Sequence, residues 1–391
     1  MIQILVYTRE FPTYKNQGKG IFVFRKWLEC SRIYPNIKIA IFPIHERSEC
    51  SNHSFPFRKV RCIHYTRMLK ANYLSIILSS IIAYLIIILR SFVFLLQSKF
   101  DFIVVEWANP VEIGIALCVA RIKKKKIIVL PKGTDIRILP FKFSPYLKLM
   151  TYLLKKVDGI QVNSQNMQSI LLKYYNSDKK VINVNYEGFF PGLHSISDKC
   201  NKYKTLLTSL IKSNKNIFAM IGRFDRSKMQ LELVKGVAEL KREDVVLFLI
   251  GSGPEERIKH ITKIISDLEL SKQVFITGRI SDSCLKVFLQ IIPCFFHISR
   301  SESFPVAILE EMSFGRVVIA SPVGGIPEMF SSGAGILLNE NNEKSIVEAL
   351  QNLLNGKYDL QRISKLAKEK AWKDFHVEKQ VRRTVEYLSR L

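Results

Sequence analysis

The sequence predicts an α/β protein made of two doubly wound domains, each built on a parallel sheet. Short runs of Ile and Val alternate with helix-length segments. This pattern is typical of parallel strands that are buried on both faces and joined by right-handed crossovers. The pattern stops once and then starts again, and 391 residues exceed what one hydrophobic core holds. Two domains are therefore expected.

Six apolar runs predict the strands of the first domain, which we place at residues 1–193. The segments between them are long enough for crossover helices, so each pair of runs reads as a βαβ unit. The runs begin at Ile2, Ile37, Phe102, Ile127, Gly159 and Val181.

Five further runs predict the strands of the second domain, at residues 217–375. The polar stretch 194–216 holds one short helical piece and is the best candidate for a linker. Residues after 343 contain helical patterns only, so the chain ends in helices, the last at 376–391. The five runs begin at Ile217, Val245, Gln273, Phe295 and Val317.

Composition excludes several classes of protein. With 48% hydrophobic and 24% charged residues, the chain is neither disordered nor of low complexity. Its seven cysteines include no C-x-x-C pair, which indicates neither a disulfide scaffold nor a zinc module, and we expect reduced thiols. The first residues resemble no secretory signal, so a cytoplasmic location is expected.

The charge is unevenly distributed and implies an anionic partner. The formal net charge is +25, and residues 1–200 hold 30 Lys and Arg against 12 Asp and Glu. Nucleic acid, a phosphorylated small molecule and an anionic membrane surface all fit such a charge. No RNA-binding signature interleaves aromatic with basic residues, so we expect no nucleic-acid partner.

An apolar helix at residues 73–96 could suggest a membrane span. Its first 17 residues carry no charge but reach only about 26 Å, short of a ~30 Å hydrocarbon core. A single crossing would also divide the strands of one sheet between two sides of a membrane. Two interpretations stay open: a buried helix of the first domain, or a helix in a membrane interface.

The segment after the strand at Phe295 is the most informative of the second domain. A loop with Glu302, Ser303 and Phe304 leads into a helix that carries Glu310. The helix begins at the carboxyl edge of the sheet, where free backbone N–H groups favour an anion such as a diphosphate. Both glutamates can reach one ligand there, although an exposed helix face explains their spacing equally well.

Two shorter motifs follow neighbouring predicted strands. In the motif GRFDRSK, Arg223 and Lys228 supply two cations that can flank a diphosphate. In GSGP, Gly251 allows a close approach of the backbone to a ligand, or simply turns the chain. Each motif is weak alone, but all lie at the carboxyl ends of strands of one domain.

These motifs resemble glycosyltransferase family 4, whose members are retaining enzymes that use nucleotide-diphosphate sugars. The similarity is carried by ESFPVAILE, from Glu302 to Glu310, by the following FGRVVIASPVGGIPE, and by GRFDRSK, although Met229 replaces the usual glycine. The resemblance implies the GT-B architecture: two Rossmann-like domains that face each other across a cleft, with the last helix packing back toward the first domain.

The resemblance also implies roles for residues of the donor side. Arg223 and Lys228 would hold the diphosphate, Glu302 would contact the donor sugar, and Glu310 would bind the ribose hydroxyls. The backbone amides of Ser303 and Phe304 would meet the phosphates and sugar. Glu311 rivals Glu310, since the family commonly has alanine there, but the spacing favours Glu310.

The first domain resembles the acceptor side of the same family. FPTYKNQGKGIF is similar to the glycine-rich loop after the first strand and would place Gly18 and Gly20 near the reaction centre. PKGTD resembles a His-Gly-x-Asp loop in which Lys132 replaces the histidine. Three residues that end a strand could line the acceptor side: Glu106, Trp107 and Asn109.

The leading interpretation is metal-independent, retaining transfer of a sugar to a saccharide or lipid-linked saccharide in cell-surface polysaccharide or glycolipid synthesis. No D-x-D motif follows a predicted strand, which fits the absence of a metal cofactor. The protein is expected to be peripheral on the inner face of the cytoplasmic membrane. The alternatives are a GT-B nucleotide-sugar epimerase and a non-catalytic basic protein that binds membranes or nucleic acid.

Overall fold

The chain divides into two compact units. A computed structural model describes residues 2–8, 20–46, 63–65, 73–138, 144–191 and 200–391. The first unit comprises Met1–Tyr186 and Val377–Leu391, and the second comprises Glu187–His376. The predicted fold class is confirmed, because each unit contains one parallel sheet with helices.

The sheet of the first unit has the strand order β3-β2-β1-β4-β5-β6-β7 in the described part of the chain, and every pairing is parallel. Sequence analysis missed β3 because three residues at a sheet edge are too few to show a pattern. The strands are β1 (Gln3–Thr8), β2 (Lys38–Glu46), β3 (Ile63–Tyr65), β4 (Phe102–Glu106), β5 (Lys126–Leu130), β6 (Gly159–Val162) and β7 (Ile182–Val184).

Helices cover this sheet and bury its apolar strands. The core contains large side chains such as Tyr7, Phe42 and Tyr175, which are fully buried. The helices are α1 (Ile21–Ile33), α2 (Tyr73–Gln97), α3 (Pro110–Lys123), α4 (Thr134–Arg137), α5 (Ser144–Leu154), α6 (Gln165–Tyr175) and, from the end of the chain, α15 (Val377–Arg390).

The second sheet has the order β10-β9-β8-β11-β12-β13 and is also parallel. Its strands are β8 (Asn216–Ile221), β9 (Val245–Ile250), β10 (Val274–Gly278), β11 (Cys294–His297), β12 (Val317–Ala320) and β13 (Ile336–Leu337). Its helices are α7 (Asn201–Lys212), α8 (Gln230–Glu239), α9 (Glu255–Asp267), α10 (Asp282–Ile291), α11 (Val306–Ser313), α12 (Ile326–Met329), α13 (Glu343–Leu354) and α14 (Leu360–Asp374).

Each sheet has a switch point, where the connections that follow two neighbouring strands run in opposite directions along the sheet. In the first unit β1 lies between β2 and β4, and in the second β8 lies between β9 and β11. The loops that leave the two central strands diverge and open a crevice at the carboxyl edge, where doubly wound folds bind ligands. The motifs after β8 and β11 meet at this crevice.

The segment 194–216, interpreted above as a linker, contains structure that belongs to the second unit. Helix α7 packs against α10, and its Leu207 is fully buried in the core. The boundary of the unit therefore lies earlier, at Tyr186. The polar composition of α7 concealed this, because only one narrow face of the helix is apolar.

Helix α15 belongs to the first unit and packs on α1. The hydroxyl of Tyr387 donates to the carbonyl oxygen of Val181 at 2.7 Å and accepts from the amide of Ile160 at 3.1 Å. These bonds attach the last helix to β6 and to the residue before β7.

Helix α2 packs against the first unit with one face and leaves its opposite face exposed. Where its side chains are described, Ile87, Ser91 and Leu95 face the interior. Leu85 and Leu89, on the other side, are 58% and 64% exposed. In the described residues, no helix meets the length and hydropathy that a membrane crossing requires.

The expectation of reduced cysteines is wrong for one pair. Cys200, before α7, and Cys284, in the first turn of α10, form a disulfide. Cys30, Cys118 and Cys294 are free, whereas Cys50 and Cys62 lie outside the described residues. The pair is separated by 84 positions in the sequence, so only the packing of α7 on α10 brings the two residues together.

Replacing Cys284 with serine should lower the thermal unfolding midpoint of the oxidised protein. A bridge across 84 residues restricts the unfolded chain by up to about 4 kcal/mol. The difference from the parent protein should vanish in a thiol reductant, measured by scanning calorimetry. Cys118→Ser is the matched control; an equal loss in this variant, or a loss that persists in reductant, contradicts the bridge.

Candidate functional site

The loop after β8 presents Lys228 at the switch point of the second sheet. Asp225 shapes this loop, since its Oδ1 accepts hydrogen bonds from the amide and hydroxyl of Ser227 at 2.9 and 2.6 Å. The amide of Lys228 approaches the same oxygen at 3.3 Å. A single short carboxylate thus folds the loop and fixes the backbone from which Lys228 extends.

Backbone hydrogen bonds join this loop to the loop that follows β11. The amide of Met229 donates to the carbonyl oxygen of Ile298 at 3.1 Å, and that of Arg300 donates to Ser227 at 2.7 Å. The hydroxyl of Ser299 also donates to the Ser227 carbonyl, at 3.0 Å. The two loops therefore form one rigid edge, although some seventy residues separate them in sequence.

Lys228, His297 and Glu302 meet on this edge. The Nζ of Lys228 forms an ion pair with Oε1 of Glu302, and Nε2 of His297 lies 2.9 Å from the same oxygen. Lys228 Nζ and His297 Nε2 are 3.1 Å apart. His297 is 1% exposed, whereas the side chains of Lys228 and Glu302 are 14% and 13% exposed. The two charged groups can therefore reach a ligand.

The protonation states in this cluster follow from burial and charge. Burial, reinforced by the charge of Lys228, lowers the pKa of His297 below its usual value, so the ring is neutral at pH 7. Burial opposes ionisation of Glu302, but the hydrogen bond from His297 and the charge of Lys228 outweigh it and lower its pKa. His297 accordingly donates its Nε2–H to an ionised Glu302.

Glu310 and Glu311, neighbours on α11, lie in opposite environments. Glu310 is partly exposed, whereas Glu311 is fully buried. Neither carboxyl oxygen of Glu311 has a hydrogen-bond partner in the described part of the chain. Burial, and then the charge of Glu310, raise the pKa of Glu311 well above its usual value. Glu310 is therefore the one that a ligand can reach.

Arg223 lies in the same loop as Lys228 but outside the cluster. Its side chain is 80% exposed and pairs with Asp225 at 3.3 Å. The carbonyl oxygen of Arg223 accepts a hydrogen bond from Gln230 Nε2 at 2.8 Å. The loop thus fixes the backbone at Arg223 and leaves its guanidinium mostly exposed.

The other donor-side residues build the frame of the site. Phe304 is buried and packs edge-on against Phe375, with ring centroids 5.5 Å apart, and the carbonyl of Ser303 accepts from the amide of Gly325 at 2.8 Å. Gly251 has a φ of +154°, and an added β-carbon would collide with the carbonyl oxygen of Gly222. Its glycine identity is explained by the close approach of these two loops.

In the first unit, Glu106 and Lys132 form a buried ion pair. Nζ of Lys132 lies 2.9 Å from Oε2 of Glu106, and the indole of Trp27 donates to Oε1 at 2.8 Å. The Glu106 side chain is completely buried, while that of Lys132 is 16% exposed. Glu106 therefore anchors Lys132, whose side chain remains partly exposed.

Asp135 fixes the loop that carries Lys132. Its fully buried carboxylate accepts hydrogen bonds from the backbone amides of Ala108, Lys132, Gly133 and Ile136, at 2.7 to 3.2 Å. One side chain thus joins the loops that follow β4 and β5.

The remaining residues predicted for the acceptor side and the glycine-rich loop differ in their local conformation. Trp107 has a φ of +75°, a conformation that is strained for a bulky residue and often marks functional sites. Asn109 caps α3 by accepting from the amide of Val111 at 3.0 Å. Gly20, with a φ of +61°, immediately precedes α1. Gly18 lies outside the described residues.

Sequence reasoning did not select two residues that the structure brings into these sites. They are His297, the last residue of the apolar strand β11, and Asp135, the last residue of the PKGTD motif. The available signal was a polar residue at, or just after, the carboxyl end of an apolar strand beside a switch point.

No group of three or more His, Cys, Asp and Glu residues that could hold a metal ion occurs within residues 73–138, 144–191, 200–391 and the shorter described segments. The chemistry described so far is that of paired cations and carboxylates. Independence from metal remains a prediction.

Comparison with known proteins gives a family for part of the chain. Residues 207–370 match the family model described as Glycosyl transferases group 1. The chain is 24% identical over 292 residues to N-acetyl-alpha-D-glucosaminyl L-malate synthase of Bacillus anthracis, covering 72% of this chain and 73% of that protein. It is 25% identical over 215 residues to D-inositol 3-phosphate glycosyltransferase of Corynebacterium glutamicum, covering 52% and 50%.

Solved structures give the same fold for the whole chain. HepE of Anabaena in complex with UDP superimposes with a TM-score of 0.75 and 16% sequence identity, covering all of both chains. The same protein has also been solved with UDP-glucose. The folds agree over both units and identify the architecture as GT-B.

Glu311→Gln should stabilise the protein increasingly as pH rises. The folded state keeps the Glu311 carboxyl protonated beyond the pH at which the unfolded chain releases that proton. Folding is therefore penalised as pH increases above the unfolded pKa of about 4.5, until the folded pKa is reached. Glutamine carries no such penalty.

The measurement is the thermal midpoint of both proteins between pH 5 and pH 8, an interval of about 3 units. In the parent protein, each pH unit between the unfolded and the folded pKa of Glu311 lowers the free energy of unfolding by about 1.4 kcal/mol. The difference between variant and parent should favour glutamine more at the higher pH. A difference that does not change with pH would show that Glu311 is ionised in the folded protein.

Proposed function

We propose that this chain, whose residues 207–370 match the model of glycosyl transferases group 1, transfers a sugar with retention from a nucleotide-diphosphate sugar. The acceptor in this proposal is a saccharide or lipid-linked saccharide used for a cell-surface polysaccharide or glycolipid. The observation that supports it most is the cluster of Lys228, His297 and Glu302 at the switch point of the second sheet.

The reaction requires neutralisation of a leaving diphosphate. About two negative charges develop on that group as the bond to the anomeric carbon breaks, and preorganised donors stabilise such charge most effectively. Lys228 is already held at the crevice, and the exposed Arg223 extends from the same loop. The two cations would take this task without a metal ion.

Glu302 would exchange its partners when the donor binds. In the free protein its carboxylate neutralises Lys228, which keeps a partly buried cation in place. A diphosphate competes for Lys228, and Glu302 is then available to accept hydrogen bonds from hydroxyl groups of the sugar. His297, neutral and fixed in the wall, keeps the carboxylate oriented through its Nε2–H.

Glu310 would bind the ribose of the nucleotide. Its position on α11, eight residues after Glu302, places it further into the helix, and its partial exposure leaves it accessible. A carboxylate is suited to two neighbouring hydroxyl groups because it offers two acceptor oxygens.

The first unit would supply the acceptor side. Lys132, anchored by Glu106, has a partly exposed side chain, and Trp107 directly follows the neighbouring strand β4 with a ring suited to stacking on a sugar face. We place the reaction at the inner face of the cytoplasmic membrane, where a lipid-linked saccharide and a nucleotide sugar are both accessible.

The first experiment is a donor screen with the purified full chain. UDP-glucose and UDP-N-acetylglucosamine are the first donors to test, because HepE has been solved with UDP and UDP-glucose. GDP-, ADP- and CMP-sugars complete the set. The proposal is supported if one class of nucleotide sugar stabilises the protein thermally and if the nucleotide diphosphate is released from that donor when an acceptor is present. Isomerised nucleotide sugar as the only product would instead indicate an epimerase.

Lys228→Ala and Arg223→Ala should each reduce turnover about 100- to 1000-fold while leaving the fold intact. This is the usual cost, about 2 to 4 kcal/mol, of removing a charged donor from a transition state. Lys235→Ala, on the exposed face of α8, is the matched control, since its ammonium pairs with Glu343 at 3.0 Å and lies outside the cluster. Full activity of the Lys228 variant would refute the assignment.

Activity should persist when divalent cations are removed by EDTA. Lys228, Arg223 and the backbone amides before α11 supply positive charge that other enzymes obtain from a metal. The measurement is initial rate with and without chelator. Loss of activity that manganese restores would overturn the metal-independent proposal.

A further inference from the structure

The carboxyl ends of α2, α3 and α5 form a basic surface on the first unit, which we call the basic rim. It comprises residues 96–101, 121–126 and 149–158. These segments hold eight lysines and arginines against two aspartates. Asp101 and Asp158 pair with lysines of the rim, which leaves a strong positive excess.

Hydrogen bonds join the three helix ends into one surface. Nζ of Lys123 donates to the carbonyl oxygens of Leu96 and Ser98 at 2.6 and 2.7 Å, which attaches α3 to the end of α2. The guanidinium of Arg121 donates to the carbonyl of Lys156 at 2.6 Å, which attaches α3 to the end of α5. The charges of the rim are thus held side by side.

Exposed apolar side chains are interleaved with these charges. Ile122 and Tyr152 are both 60% exposed, and Lys156 lies over the Tyr152 ring at 5.7 Å. From the rim, the uncovered face of α2 continues the apolar surface at helical spacing. Its exposed members are Leu85, Leu89, Val93 and Leu96.

The combination of aliphatic side chains and lysines selects one class of partner. An anionic bilayer receives both, because acyl chains take the aliphatic groups and headgroup phosphates pair with the ammonium groups. A nucleic acid would use the charges but would leave the aliphatic face of α2 in water. We propose that the basic rim and the exposed face of α2 dock this protein on an anionic lipid surface.

The docking surface and the proposed acceptor side occupy opposite edges of one sheet. Lys126, in the rim, begins β5, whereas Lys132 follows the end of the same strand. Docking therefore leaves the carboxyl edge uncovered by the bilayer. The docking proposal depends on the proposed glycosyltransferase function only where it assumes a lipid-linked acceptor. Membrane binding itself can be measured without that function.

The experiment measures co-sedimentation of the full chain with vesicles of phosphatidylcholine alone and of phosphatidylcholine with an equal amount of phosphatidylglycerol. Binding is expected only to the second, and it should weaken in high salt. The triple variant Lys99→Gln, Lys124→Gln, Lys155→Gln should bind about 100-fold more weakly, because each lysine near an anionic surface contributes about fivefold. The matched control neutralises Lys212, Lys263 and Lys357 of the second unit, all exposed.

A second variant tests the apolar part of the surface. Leu85→Gln with Leu89→Gln alters only exposed side chains, and it should also weaken vesicle binding at least tenfold, because each leucine that enters the acyl chains of the bilayer strengthens binding severalfold. Both variants should keep the thermal stabilisation that the parent shows with a nucleotide sugar, which separates this result from a failure of the proposed function.

Three outcomes would overturn the docking proposal. The first is equal binding to both kinds of vesicle, and the second is equal loss in the control and rim variants. The third is an unchanged affinity of the Leu85 and Leu89 variant together with tight binding of single-stranded RNA that the rim variant loses. That last result would identify the rim as a nucleic-acid surface.

Discussion

The hydrogen bonds between the loops after β8 and β11 are the constraint on which the second unit's site depends. They exist because the two strands are neighbours at the switch point of the sheet, where the chains on either side diverge. The bonds from Met229 to Ile298 and from Arg300 to Ser227 satisfy backbone groups that would otherwise lie unpaired at the edge of the crevice. The loops cannot move apart without breaking them, so Lys228 and Glu302 stay together.

Buried charge is handled in two different ways within a few residues. Lys228 and Glu302 remain ionised because each compensates the other and His297 supplies a further hydrogen bond. Glu311 has no such partner in the described part of the chain, and burial keeps its carboxyl protonated. A paired charge at the surface of the crevice is available for chemistry, whereas an unpaired one behind it is neutralised.

The first unit repeats this arrangement with other residues. Glu106 ends β4, Lys132 follows β5, and the two pair beside the switch point of their own sheet. In this unit a buried aspartate, Asp135, joins the loops after β4 and β5, because it accepts hydrogen bonds from backbone amides of both. In each unit a lysine is held by a glutamate that ends or follows a neighbouring strand. Such a pair orients a cation while leaving it partly exposed.

The alternation of apolar strands with helix-length segments determined the two parallel sheets, because a strand buried on both faces has to be apolar along its whole length. Short motifs predicted Lys228, Glu302 and Glu310 as candidate site residues, since each is positioned locally by a strand end or a helix start. The edge strands β3 and β13 are too short to give such a pattern. The bond between Cys200 and Cys284 and the roles of His297 and Asp135 were decided only by tertiary structure. Each of the three depends on segments that are far apart in the chain or on burial, and none of them can be predicted from neighbouring residues in the sequence.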